Sequence, residues 1–188
     1  MNRKLIIITI FILVFAPIFI LGQTSDTTLQ DEESNELPRQ FRQLSLGMSL
    51  DDLKTALLND NYFNFRGDRD VSFLPIRDQS LVETTGGSFI RRAFFQLRDD
   101  IVFIMSFSLN MEIIDHYSIF TQFVARYGQP TSLNPRSAIW ETEQTRISIE
   151  RPLTVKYIDK TVFDDIIEES GLIESNQTRL RQEFLDEF

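Results

Sequence analysis

The sequence predicts an α+β fold, and three features of its patterning carry that reading. Apolar residues recur at helical spacing behind residues that cap helices, short β-rich runs are separated by tight-turn residues, and the order of helix then strands occurs twice. Strands this short, joined by hairpins, imply short helices packed on one face of an antiparallel sheet.

The elements follow in order. Ser49 and Asp52 have capping-box spacing, and Leu50, Leu53 and Leu57 then recur at helical spacing up to Asn59. Residues 71–74 read as a short strand ended by Pro75. Residues 89–98 and 101–109 are β-rich runs separated only by Asp99 and Asp100, which suits a tight hairpin. In the second run Ile101, Phe103, Met105, Phe107 and Leu109 share one face, expected to point inward. Asp115 caps a second helix with the stripe Ile119, Phe120, Phe123, Val124 and Tyr127, which Gly128 and Pro130 stop. Residues 138–142, 145–150 and 153–158 then read as strands, with Trp140, Ile147, Ile149, Val155 and Tyr157 inward and Pro152 at a corner. Phe163, Ile166 and Ile167 open a third helix. The halves 46–109 and 115–158 thus read as two degenerate helix-plus-three-strand repeats, followed by a C-terminal helical tail.

The first residues read as an export signal. Arg3 and Lys4 precede a charge-free apolar run over 5–21, interrupted only by Thr9 and Pro17, and Gly22 is the small residue at a cleavage position. Residues 1–22 are therefore a signal peptide cleaved before Gln23. The alternative is an uncleaved N-terminal membrane anchor, since a bilayer core takes about 20 apolar residues and tolerates about 17. Residues 23–40, polar and acidic with Leu29 and Leu37 as the only large apolar residues, read as a disordered linker. Residues 41–188 then form a single α+β domain.

Composition narrows the chemistry. The chain carries a net charge of −9. Without Arg3 and Lys4, 17 basic residues face 28 acidic ones, a net charge of about −11. That charge and the scattered arginines exclude nucleic acid as a partner. There is no cysteine, so disulfides, thiolate chemistry, Cys-ligated metals and lipoprotein acylation are closed. His116 is the only histidine, so no multi-histidine metal site exists and any Ser-His-Asp triad must use it. It follows a helix cap, the position of an exposed first-turn residue. Acidic pairs such as Asp51 with Asp52, Asp99 with Asp100, Asp164 with Asp165 and Glu168 with Glu169 fall at a helix start, a turn and solvated helix faces. The Thr85-Gly86-Gly87-Ser88 stretch lacks the lysine and following helix of a phosphate loop and reads as a turn. Arg66-Gly67-Asp68 is the tripeptide of some adhesive proteins, and an ordinary turn is the simpler reading.

The residues point to binding. Residues 89–98 hold apolar side chains on both faces, Phe95 and Leu97 on one, Ile90 and Phe94 on the other. Such a strand is either covered twice or carries an exposed apolar patch of the kind that marks partner surfaces. Ile90 and Phe94 are the first partner-binding candidates. The stripe Leu180, Phe184 and Phe188 of the terminal helix is the second.

The stretch Leu46-Gly47-Met48-Ser49-Leu50-Asp51-Asp52-Leu53 resembles the helix-opening motif of small periplasmic modules of the SmpA/OmlA (BamE) type, and Tyr127-Gly128-Gln129-Pro130 is similar to the helix-ending motif of the same class. The resemblance implies a helix packed on a small antiparallel sheet, in a non-catalytic module that binds or scaffolds envelope proteins. The lipidated cysteine of that class is missing. The expected function is an exported, non-catalytic envelope protein, periplasmic or extracellular, with no cofactor and another envelope protein as partner. Membrane contact is confined to residues 5–21 if the signal stays uncleaved. The alternatives are a surface-exposed adhesin-like protein and a hydrolase using His116.

Overall fold

Each helix starts where a short polar side chain takes up a free backbone N–H. In α1 (Leu50–Asn59) the Ser49 hydroxyl accepts the Asp52 N–H at 3.2 Å and donates to the Asp52 carboxylate at 2.7 Å, while Asp51 and Asp52 sit at the positive end of the helix. In α2 (His116–Tyr127) the Asp115 carboxylate accepts the Ser118 N–H at 2.9 Å, and Gly128, at φ 75°, ends the helix. In α3 (Lys160–Leu185) Asp159 plays the same part toward the Val162 N–H. The structure, a computed structural model, describes residues 36–74 and 78–186, with only the backbone over 173–177. The segment expected to be a signal or anchor, residues 1–22, lies outside the described residues, as do most of the expected linker and Phe188. Among the described residues no helix is long and apolar enough to cross a membrane.

The fold is α+β. After a two-stranded ribbon of β1 (Gln40–Phe41) and β2 (Leu44–Ser45), the chain runs α1, a 3-10 turn over Gly67–Asp70, β3 (Val71–Phe73), β4 (Gln79–Thr85), β5 (Ile90–Arg98) and β6 (Ile101–Leu109). It continues with α2, β7 (Ser132–Leu133), β8 (Ser137–Glu141), β9 (Thr145–Glu150), β10 (Thr154–Asp159) and α3. The second sheet has eight strands in the order β3-β4-β5-β6-β10-β9-β8-β7, every pairing antiparallel. Two four-strand meanders thus meet through their last strands. Each half is a helix followed by four strands, where the pattern suggested three. The extra strands are β4 and β7. β4 hides because its inward side holds Ser80 and Thr84 as well as Val82, which weakens the alternation, and β7 because it has only two residues.

One face of the sheet bears the core. Val82, Ala93, Phe95, Leu97, Met105, Phe107, Trp140, Ile147, Ile149, Val155 and Tyr157 are buried there, joined by Leu53 and Leu57 of α1. The α2 stripe packs against the same cluster from above, half-buried, and the Trp140 indole N–H donates to the Gly128 carbonyl at 2.9 Å. Phe107 is the hub: its ring lies 4.5 Å from Phe41, 5.9 Å from Phe95, 6.2 Å from Tyr157 and 6.3 Å from Phe63. The hairpin at Asp99 and Asp100 forms as expected, both residues taking the positive φ of 51° and 60° that a two-residue hairpin turn favours.

Four expectations need correction. Ile101 and Phe103 do not share the Met105–Phe107 face, because the pairing skips Phe103 between Gln96↔Ile104 and Leu97↔Val102. That bulge turns Val102 into the core, leaves Ile101 exposed and sends Phe103 into a second cluster with Ile104 and Ile158. Ile90 is not on the Phe94 face, since a second irregularity between Ile90 and Arg92 resets the alternation and buries Ile90 with Ala93 and Phe95. The helices are not all on one face, because α3 leaves β10 toward the opposite side, where Val162, Phe163 and Ile166 cover Phe103, Ile104 and Ile158. Finally, packing against the core reaches ahead of the expected boundary at Phe41. Leu37 is buried in the core, and the Arg39 guanidinium pairs with Asp159, because one apolar side chain and one charge suffice to dock a polar stretch.

Phe107→Ala removes the hub of the aromatic cluster and is expected to cost about 3–5 kcal/mol, a large share of the roughly 5–15 kcal/mol that such a domain holds. Chemical denaturation monitored by tryptophan fluorescence measures it, and a change within error would mean that Phe107 does not hold the core together.

Candidate partner surface

The sheet's second face is built by the side chains that alternate with the core residues. Register places them in rows that cross the sheet. The middle row is Glu83, Phe94, Ser106, Lys156, Ser148 and Ile139. On one side of it runs the row Leu81, Gln96, Ile104, Ile158, Arg146 and Glu141, and on the other the row Thr85, Arg92, Ser108, Thr154, Glu150 and Ser137. The first turns of α3 cover Ile104 and Ile158, with Phe103 beside them. Beyond them the face is open.

Small side chains hollow its centre. Ser106 and Ser148 sit on either side of Lys156, between the larger Phe94 on one flank and Ile139 on the other, and the resulting trough contains a cavity of about 480 Å³ that Phe163 lines at the α3 end. A second cavity of about 460 Å³ adjoins it past Phe94, lined among others by Arg91, Arg92 and Met111. The charges on this face are matched in pairs. Lys156 meets Glu150 at 2.6 Å, Arg146 meets Glu141 at 2.7 Å, and Arg92 meets Glu83 at 3.3 Å while lying over the Phe94 ring. A face so balanced lets a partner approach without the repulsion that the net charge of the chain imposes elsewhere.

The α3 end of the trough is locked electrostatically. Glu141 accepts from Arg146 and also pairs with Lys160, the first residue of α3, and Arg98 reaches Glu169 at 2.7 Å. The Arg146 hydrogen bond, followed by that of Lys160, holds the Glu141 carboxyl below its ordinary range despite partial burial. Arg39 with Asp159 adds a further tie at the same helix start.

The sequence candidates fall in different places. Phe94 lies on the open face, half-buried in the trough wall. Ile90 lies in the core at 2% exposure, and the missing side chain of Gly86 makes room for it, since a Cβ there would meet the Ile90 carbonyl oxygen at 2.4 Å. Leu180 and Phe184 are exposed on the far part of α3, and Phe188 lies outside the described residues. His116 lines a separate cavity with Asp115 and Ser137, yet the Asp115 carboxylate is engaged by Ser118 and the Ser137 hydroxyl accepts from the Asn134 amide at 3.0 Å. Among the described residues no hydrogen bond joins His116 to either. No group of acidic residues and histidine suited to a metal ion occurs among the described residues. Arg66 is tied to buried Asp70 by two side-chain hydrogen bonds and Asp68 to Lys54 at 2.8 Å, so both charged ends of the tripeptide, though exposed, are paired within the chain around a 3-10 turn. Sequence reasoning missed Ser106, Ser148, Lys156 and Ile139. Their only signal is alternation with buried neighbours, which marks a second face without saying whether it is covered.

The family described as the TP0088 domain matches residues 39–169, a span that includes both meanders and the first turns of α3. No curated protein and no solved structure matches the chain.

Because the folded Glu141 carboxyl titrates below its unfolded value of about 4.3, its contribution to stability is complete above that pH and lost as the pH falls through the folded value. Glu141→Gln is therefore expected to lower the Tm by roughly 2–4 °C at pH 7, with the gap to wild type narrowing as the pH falls below the ordinary carboxylate range. Thermal melts across that range test it, and a gap constant with pH would contradict the assignment.

Proposed function

For this chain, which belongs to the TP0088 domain family, we propose the role of an exported, non-catalytic module of the cell envelope that binds or scaffolds another envelope protein. The observation that carries the reading is the open face of the sheet, where a trough with an aromatic wall, a hydroxyl-lined floor and paired charges faces away from the core. Such a surface offers shape and apolar area for a protein partner, with polar groups at hand to fix orientation. The positive n-region and apolar run of residues 1–22 support export, and the resemblance of residues 46–53 and 127–130 to SmpA/OmlA (BamE) modules supports a binding role. In this reading the signal is removed before Gln23, and the acidic chain works in the periplasm or outside the cell.

Phe94 is the residue on which the proposal rests most. A large apolar anchor at the centre of an interface carries about 2 kcal/mol or more, so Phe94→Glu is expected to abolish partner binding while the Tm shifts little. A photo-crosslinking phenylalanine analogue at position 94, expressed in cells, is expected to yield one dominant protein adduct, whose own N-terminus of this chain reads Gln23 or a near neighbour. The same analogue at exposed Leu58 should yield none. Equal adducts at 94 and 58 would sink the reading, and Met1 as the N-terminus of an integral membrane species would replace export with a tether.

A further inference from the structure

We propose that the β7 edge of the sheet, with the cavity beside it, is a second docking site, which takes an extended acidic segment of another protein as a further strand. It is separate from the open face and does not depend on Phe94.

The hydrogen-bond phase at this edge is the first support. β7 is the outermost strand, paired only with β8. Asn134 and Ser137 exchange both backbone bonds, at 2.9 and 3.3 Å, which makes them a hydrogen-bonded pair. Pairs alternate along an antiparallel ladder, so the next one, Leu133 with Ala138, is not bonded across. The N–H and C=O of Leu133 therefore aim away from the sheet, toward whatever lies beside it. The Leu133 side chain is 65% exposed.

The cavity is the second. About 480 Å³ in volume, it lies between the start of α2 and the β7–β8 turn, walled by Tyr117, Phe120, Leu133, Pro135 and Arg151, with His116 at its side. Leu133 pairs with inward-facing Ala138, so its side chain stands on the helix side, where the cavity is. A strand added at this edge sets alternate side chains on that side, and one large apolar residue per strand has a place to go.

Charge selects the segment. Arg151 lines the cavity, and its backbone N–H donates to the Arg136 carbonyl, which sets the two arginines together at the turn. Among the described residues neither is in an ion pair, although the chain has 28 acidic residues against 19 basic ones. The acidic residue in the lining, Asp115, already accepts from the Ser118 N–H at 2.9 Å and hydroxyl at 2.6 Å. Carboxylates two positions from that apolar residue, and so on the same face of an incoming strand, would complete what the protein leaves unpaired.

Peptides about ten residues long, selected from a random displayed library on the full chain, test this by fluorescence anisotropy. The selected sequences are expected to lack proline and to carry a large apolar residue with Asp or Glu two positions away. Leu133→Pro removes the outward N–H without touching the β7–β8 ladder and is expected to weaken binding by at least about tenfold. The double replacement Arg136→Glu with Arg151→Glu, which keeps the backbone, is expected to do the same and carries the test alone if the proline variant does not fold. Phe94→Glu should bind these peptides like wild type. Selection of basic peptides, equal affinity for the variants, or no selection above background would overturn the proposal. So would concentration-dependent assembly of the chain that Leu133→Pro abolishes, because the edge would then serve a second copy.

Discussion

The pairing of β6 with β10 is the constraint on which the rest of the structure depends. It joins Ser108 to Thr154, Phe107 to Val155, Ser106 to Lys156, Met105 to Tyr157 and Ile104 to Ile158, and it fuses two meanders into one continuous sheet. On one side of this seam Phe107, Met105, Val155 and Tyr157 form the middle of a single core, and α1 and α2 both pack on that side. On the other side the same pairing lays Ser106 beside Lys156 and Ser108 beside Thr154. Small and polar residues there leave the trough that larger ones would fill.

A sheet with a buried face and an uncovered one is common for antiparallel strands, which need helices on one side only. What distinguishes this one is how α3 shares out the second face. Its first turns seal Phe103, Ile104 and Ile158, and the ion pairs of Lys160, Asp159 and Glu169 fix its departure from β10. Those contacts cover one end of the trough and stop. The uncovered portion presents Phe94 and Ile139 across Ser106 and Ser148, with Lys156, Arg146 and Arg92 already matched, so a partner that docks there meets little uncompensated charge to strip of water.

Local chemistry made much of this fold legible. Ser49, Asp115 and Gly128 mark helix ends because capping is decided within a few residues, and Asp99-Asp100 marks the central hairpin for the same reason. Trp140, Ile147, Ile149, Val155 and Tyr157 were readable as core because their strands alternate without interruption. The failures have one physical origin. A bulge adds a single residue and reverses the face of everything beyond it, and Phe103 and the Ile90–Arg92 stretch carry no mark of that in their composition. Ile90 was exchanged for Phe94's face on that account. The trough was illegible for a different reason: whether Ser106 is covered depends on where α3, which begins at Lys160, is led, and periodicity does not encode such long-range placement.

The account stands or falls on whether the open face is occupied in the cell. Oxidative side-chain footprinting, performed on the purified chain and on intact cells, reads this directly. Leu81, Phe94 and Ile139 are predicted to be labelled less in cells than in the purified protein, with exposed Leu58 on the helix side labelled equally in both. Equal labelling of the three open-face residues in both samples, or protection confined to Leu58, would contradict it.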